Sequence, residues 1–191
     1  PGVPYTIQHS TKDKEGRFIQ LKGLLDGEEL VINGLYVQNI KQGEFLQTKV
    51  SQLTNDLTTS CVWGGDMNCV PHIDKDRSHP PLVAAPTMKN SLILGAWMEE
   101  RRLIDIWRHM HPHERAYSYY SPVHLLHTRI DLILTSQNLT HKIMRAEYSA
   151  RVISDHCPLI VQIRWGRPRS CIPTWRLQTQ LLQDPPFRKD I

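Results

Sequence analysis

Three polar clusters, each sitting at the end of an apolar run, constrain this chain more than any other feature. They are Gly64-Gly65-Asp66-Met67-Asn68, Thr128-Arg129-Ile130-Asp131 and Ser154-Asp155-His156-Cys157-Pro158-Leu159. The runs Cys61–Gly65, Ile130–Leu134 and Leu159–Ile163 read as short buried strands. A carboxylate or imidazole at the end of such a strand is delivered to the rim of a sheet. Acids and one imidazole returned to a common rim suit a divalent cation and the cutting of a phosphodiester.

The rest of the pattern predicts a layered α/β domain. Phe18–Lys22 and Glu29–Ile32 read as strands joined by an Asp26-Gly27 turn. From Phe45, apolar residues at Leu46, Val50, Leu53 and Leu57 give a helical rhythm. Residues 73–88 hold three prolines and read as a loop, followed by a helix over 90–102 that buries Ile93, Leu94 and Trp97. Residues 109–120 read as a polar and aromatic loop. No internal repeat or low-complexity stretch is present.

At 191 residues and 40% apolar content the chain makes one domain, or one domain and a tail. We place the domain at 1–165 and a basic linker at 166–191. Residues 164–191 carry six basic and two acidic side chains, and residues 1–163 carry 17 of each, so the tail holds the whole net charge of +4. Such a tail either docks on phosphate or is a solvated linker. No run of 18 apolar residues offers a membrane-spanning helix, and no secretory signal opens the chain. Cys61, Cys69, Cys157 and Cys171 form no C-x-x-C pair and are expected as reduced thiols of an intracellular protein. His109, His111, His113, His124 and His127 lack zinc-site spacing. The absence of a P-loop and of a G-x-S-x-G elbow argues against P-loop nucleotide hydrolysis and serine hydrolysis.

Each candidate residue also has a plain structural reading. Asp66 and Asn68, two apart, suit positioning of a water and a phosphate, or form a turn. His156 can accept a proton near neutral pH with Asp131 fixing its tautomer. Read alone, His156 is a loop histidine and Asp131 a strand-end cap. Tyr36 either meets a phosphate oxygen or sits on the rim of the core.

In this order the clusters resemble the endonuclease/exonuclease/phosphatase superfamily, and most closely the endonuclease domain of LINE-type (non-LTR) retrotransposons. The family's G-D-F-N appears as Gly65-Asp66-Met67-Asn68, its R-I-D-x-I-L as Arg129–Leu134, and its S-D-H-x-P-L as Ser154–Leu159. Leu103–Arg108, Tyr117–Pro122 and Trp175–Asp184 are similar to the retrotransposon branch, the last to a linker running towards a reverse transcriptase. The resemblance implies a four-layer α/β (α+β) sandwich of the deoxyribonuclease I-like type. It implies a nuclear (otherwise cytoplasmic) Mg²⁺-dependent endonuclease, with Mn²⁺ as the alternative ion. That enzyme nicks one strand of double-stranded DNA and leaves a 3′-hydroxyl for priming. Asp66 and Asn68 would orient the attacking water or leaving oxygen, and His156 with Asp131 would move protons at the phosphate. Asp155 would position the metal, and Tyr36 would hydrogen-bond the phosphate. Ser118, Ser154 and Asn39 would make further substrate contacts. The family's opening Asn strand and its Glu-bearing Q-E-T-H-like motif have no counterpart here, so the expectation is a domain lacking its first strands and an impaired metal site. Gly34 and Gln38 also stand where the family has Asn and Pro around the tyrosine. The alternatives are an inactive remnant binding DNA weakly through its tail, and a phosphatase or deadenylase of the same superfamily.

Overall fold

The computed structural model describes residues 4–39, 42–50, 58–79, 85–152 and 154–166. The first half runs β1 (Tyr5–Lys12), β2 (Phe18–Leu25), β3 (Glu28–Tyr36), α1 (Gln42–Phe45) leading into a π-helical turn (Leu46–Val50), β4 (Cys61–Asp66) and α2 (Ala85–Glu100). The second half runs β5 (Leu103–Asp105), α3 (Ile106–Met110), β6 (Tyr119–Ser121), β7 (Leu126–Thr128), β8 (Asp131–Ser136), a 3-10 turn (Gln137–Lys142), β9 (Ile143–Tyr148) and β10 (Leu159–Ile163). Six strands form one sheet in the order β1-β2-β3-β4-β8-β5, while β9–β10 and β6–β7 form two small sheets.

The expected hairpin is present, and its chemistry explains it. Asp26 and Gly27 both take positive φ, 53° and 80°, as a two-residue hairpin turn of the type favoured by Asp-Gly requires. Two expectations are corrected. Helix α2 starts at Ala85, inside the expected loop, because Pro86 falls in the first turn, where a missing N–H costs nothing. The expected loop over 109–120 instead contains the end of α3 and the start of β6. Strands β1 and β9 were not legible as apolar runs, since β1 is exposed along seven of its eight residues. The helix expected from Phe45 begins as α1 and the π-turn; its continuation past Val50 and the basic tail lie outside the described residues.

Alternation divides the large sheet into two unlike faces. Val31, Leu35, Trp63, Leu132 and Leu134 pack on one face with Leu94 and Trp97 of α2. Trp97 meets Trp63 edge-on at 5.2 Å between ring centroids. A second core joins Ile104, Ile106 and Trp107 to Ile143, Ala146, Tyr148, Leu159 and Val161, bringing α3 and the β9–β10 sheet together beside the β5–β8 edge.

Between the two cores lies a buried ion cluster. Arg129 has no exposed surface. Its Nε and Nη2 donate to the two carboxylate oxygens of Asp76 at 2.7 and 2.9 Å, and Nη2 also donates to Asp105 at 2.6 Å. Arg108 donates to the same Asp76 at 2.7 Å. Asp105 in turn caps α3 by accepting from the Arg108 N–H at 3.1 Å. Burial alone would raise the Asp76 pKa, but the two guanidiniums overcome it and hold this carboxyl below its usual range. Its stabilisation is therefore present at neutral pH and is lost as pH falls through the acid range. Removing one partner of such a group leaves an unpaired charge in the core. Arg129→Met is expected to destabilise the fold by about 3–5 kcal/mol in urea denaturation, and a loss under about 1 kcal/mol would contradict this reading of the cluster.

Candidate active site

The strand register assembles the site. Parallel pairing of β3 with β4 sets Tyr36 opposite Asp66, and antiparallel pairing of β4 with β8 sets Asp66 opposite Asp131. These three residues form one row across three strands. Because Leu35, Trp63 and Leu132 point to the helices, Tyr36, Asp66 and Asp131 point to the other face. Gly65 makes the close pairing possible: its φ is 150°, and a Cβ there would lie 1.8 Å from the carbonyl oxygen of Leu35.

His156 arrives from the loop between β9 and β10, and its Nδ1 lies 2.7 Å from Asp131 Oδ2. The carboxylate accepts the Nδ1–H and so selects the tautomer whose Nε2 carries the lone pair. The loop is shaped by Ser154, whose hydroxyl accepts the His156 N–H at 3.1 Å. Across the row, the Asn68 backbone N–H donates to Asp66 Oδ1 at 2.8 Å. The Asn68 amide donates to Asp66 Oδ2 at 3.2 Å and to the Val37 carbonyl at 2.6 Å. Both amide hydrogens of Asn68 are thereby engaged, so it holds Asp66 in place and leaves its carbonyl oxygen to the cleft. Burial pushes the Asp66 pKa up to about 6; the Asn68 N–H and His156 oppose this, and Asp131 and Asp155 add to it.

Asp66, Asn68, Tyr36, Asn39, Asp155 and His156 line one cleft of about 1080 Å³. Ser154 is exposed and bonded within its own loop, to the Asp155 carboxylate and the His156 N–H. Ser118 stands apart from the cleft wall: it is fully buried, and its hydroxyl accepts the N–H groups of Ile130 and Asp131 at 3.0 Å each. The Ser118 carbonyl accepts the Cys157 N–H at 2.7 Å. It thus braces Asp131 and the neighbour of His156 from behind. Asn33, shifted by one from the tyrosine motif, is buried on the helix face with Gln20.

Sequence reasoning missed several residues. Tyr119 lies with its ring 4.8 Å from the His156 imidazole, and Arg77 lines the cleft. Asn90 donates to Gln42, which donates to the backbone carbonyl of Asn68. No local motif marks them; only the fold brings them close. Among the described residues Cys61, Cys69 and Cys157 are free thiols, and burial pushes the Cys69 thiol up to about 12, which makes it a packing residue.

Donor atoms of Asp66, Asp131 and His156 lie within 4.8 Å of one another. Among the described residues, this is the group of three such side chains able to share an ion. The raised Asp66 pKa records burial together with repulsion from two neighbouring acids, which a cation would relieve. Carboxylate oxygens suit a hard divalent ion such as Mg²⁺ or Mn²⁺.

No family model matches the sequence. A curated relative, a DNA-(apurinic or apyrimidinic site) endonuclease of Arabidopsis thaliana, is 27% identical over 134 residues, which is 53% of this chain and 36% of that protein. The chain therefore spans about a third of the length of that relative. Among solved structures, an AP endonuclease from Archaeoglobus fulgidus matches at TM-score 0.62 and 22% identity, over 83% of this chain and 72% of its own. An AP endonuclease from Leishmania major matches at TM-score 0.61 and 19% identity, over 81% and 56%. The endonuclease domain of TRAS1, a telomere-specific non-LTR retrotransposon, matches at TM-score 0.59 and 13% identity, over 82% and 67%. The chain has the deoxyribonuclease I-like fold, in the form found in these AP endonucleases and in a retrotransposon endonuclease domain.

Proposed function

We propose that this cleft is the active site of a DNA endonuclease that hydrolyses one strand of a duplex and leaves a 3′-hydroxyl. The observation that carries the reading is the His156–Asp131 pair at 2.7 Å standing beside Asp66 in one strand row. In the reaction a water oxygen bonds to phosphorus and the bond from phosphorus to the 3′ oxygen breaks. Asp66, ionised above pH about 6, is the group that orients the water and takes its proton. Asn68 holds both oxygens of that carboxylate at fixed angles. His156, oriented by Asp131, presents Nε2 to the phosphate; protonated from solvent at that nitrogen, it gives the proton to the departing 3′ oxygen, which leaves as the hydroxyl, while the proton taken by Asp66 returns to solvent. Tyr36, about half exposed at 48%, offers its phenol to a phosphate oxygen. A Mg²⁺ ion held by the carboxylates of Asp66 and Asp131, with Asp155 positioning its waters, would supply charge neutralisation at the phosphate. A following reverse transcriptase domain and a nuclear location accord with this reading as the setting in which a 3′-hydroxyl primer is used.

Nicking of supercoiled plasmid tests the site, run on this chain and on a form extended upstream by its native coding sequence. Nicking should require Mg²⁺, stop with chelator, and fall about 10²–10⁴-fold in His156→Ala with the fold retained. Full activity in His156→Ala overturns the reading. Two folded proteins that both fail to nick would leave the remnant alternative, with DNA held only weakly.

The raised Asp66 pKa gives a second test. A carboxyl whose folded pKa lies above its unfolded value contributes stability at low pH that is lost as pH rises, here between about 4 and 6. Without metal, Asp66→Asn should therefore melt above wild type at about pH 8 and level with it at about pH 4. Added Mg²⁺ should raise the melting temperature of wild type and leave that of Asp66→Asn unchanged. An Asp66→Asn protein less stable than wild type at both pH values would show that Asp66 is structural.

A further inference from the structure

We infer that Tyr148 is a positioning residue of the proposed site, fixing Asp131 through its backbone so that Asp131 can hold His156. The inference rests on the endonuclease reading above. The Tyr148 hydroxyl donates to the Asp131 carbonyl oxygen at 2.6 Å. That carbonyl belongs to the first residue of β8, where the ladder to β4 ends at the Asp66 pair. The amide side of Asp131 is already held by Ser118. Tyr148 therefore fixes the other side of the same residue, and the peptide planes on both sides of the Asp131 Cα are tied. With the Cα fixed, the direction of the Asp131 carboxylate is fixed too.

The element that carries Tyr148 makes this more than a core contact. Tyr148 ends β9 and pairs with Leu159, the first residue of β10. Ser149 N–H donates to the Pro158 carbonyl at 2.8 Å, closing the base of the loop that holds Asp155 and His156. One residue thus touches the strand that carries Asp131 and anchors the loop that carries His156. Its ring packs against Trp107 at 5.6 Å between centroids, and Trp107 lies under the Arg129 and Arg108 guanidiniums. The phenol is coupled in this way to the buried ion cluster.

Tyr148→Phe removes one oxygen and keeps the ring and its packing. We expect kcat for nicking to fall about tenfold, with KM within about twofold of wild type, since misplacement of a catalytic group costs rate more than binding. The proton of the His156–Asp131 hydrogen bond, read as a downfield imidazole resonance by NMR, should broaden or move upfield in Tyr148→Phe. That resonance reports the pair whether or not the chain nicks DNA, so failure of the endonuclease reading and failure of the clamp are separable. Tyr148→Leu, which also deletes the ring, should lose stability as well as rate. An unchanged imidazole resonance and unchanged kcat per folded molecule in Tyr148→Phe would reduce Tyr148 to a packing residue and overturn the inference.

Discussion

The structure depends on one buried interaction, the fork of Arg129 on Asp76. A guanidinium and a carboxylate in the core are tolerable only when their charges are paired, and here Arg129 Nε and Nη2 reach Asp76 and Asp105 although its Nη1 has no hydrogen-bond partner. That demand draws the segment after β4, the β5–α3 junction and the start of β8 to one point. Asp76 also accepts the His72 N–H at 3.0 Å, and its carbonyl accepts the Arg129 N–H at 2.9 Å, so the segment is locked in both directions. Arg129 is two residues from Asp131. The ion cluster is consequently the footing on which the site row is placed.

Above that footing, the site stores electrostatic cost. Asp66 and Asp155 line one cleft with Asp131 beside Asp66 in the strand row, and Asp66, between the other two, resists ionisation. A protein selected for stability alone would place an amide or an apolar residue there. Holding Asp66 with two bonds from Asn68, and Asp131 between Ser118 and Tyr148, keeps groups in place that would otherwise move apart. The arrangement is preorganised for a cation, which lowers its electrostatic energy and offsets the repulsion an anionic substrate would otherwise meet there.

Much of the site could be read from the sequence because its carriers are strands, where apolar runs reveal the ends. Asp66, Asp131 and His156 were found in this way, and the structure brings them together. The roles of two polar residues were less legible. Ser118 looks like a substrate contact in a row of aromatic and hydroxyl residues, yet it is buried against two backbone amides. Asn68 looks like a phosphate ligand, yet both its amide hydrogens are engaged internally. Such roles depend on pairings between residues 12 to 31 positions apart, which no local pattern encodes. Arg129 stood inside a recognised motif, but its partner Asp76 lies 53 residues away in a stretch that reads as loop. The exposed strand β1 was invisible because periodicity signals burial, and β1 has almost none.

The most direct test of the account is the chemistry of the ends made at the nick. Supercoiled plasmid would be nicked with Mg²⁺ present, the protein removed, and a DNA polymerase with labelled nucleotides added without any phosphatase step. Direct extension from the nick is the predicted result, because hydrolysis that breaks the bond from phosphorus to the 3′ oxygen leaves a free hydroxyl. Nicks that extend only after a 3′-phosphate is removed would contradict the assignment of Asp66, Asp131 and His156 to this reaction.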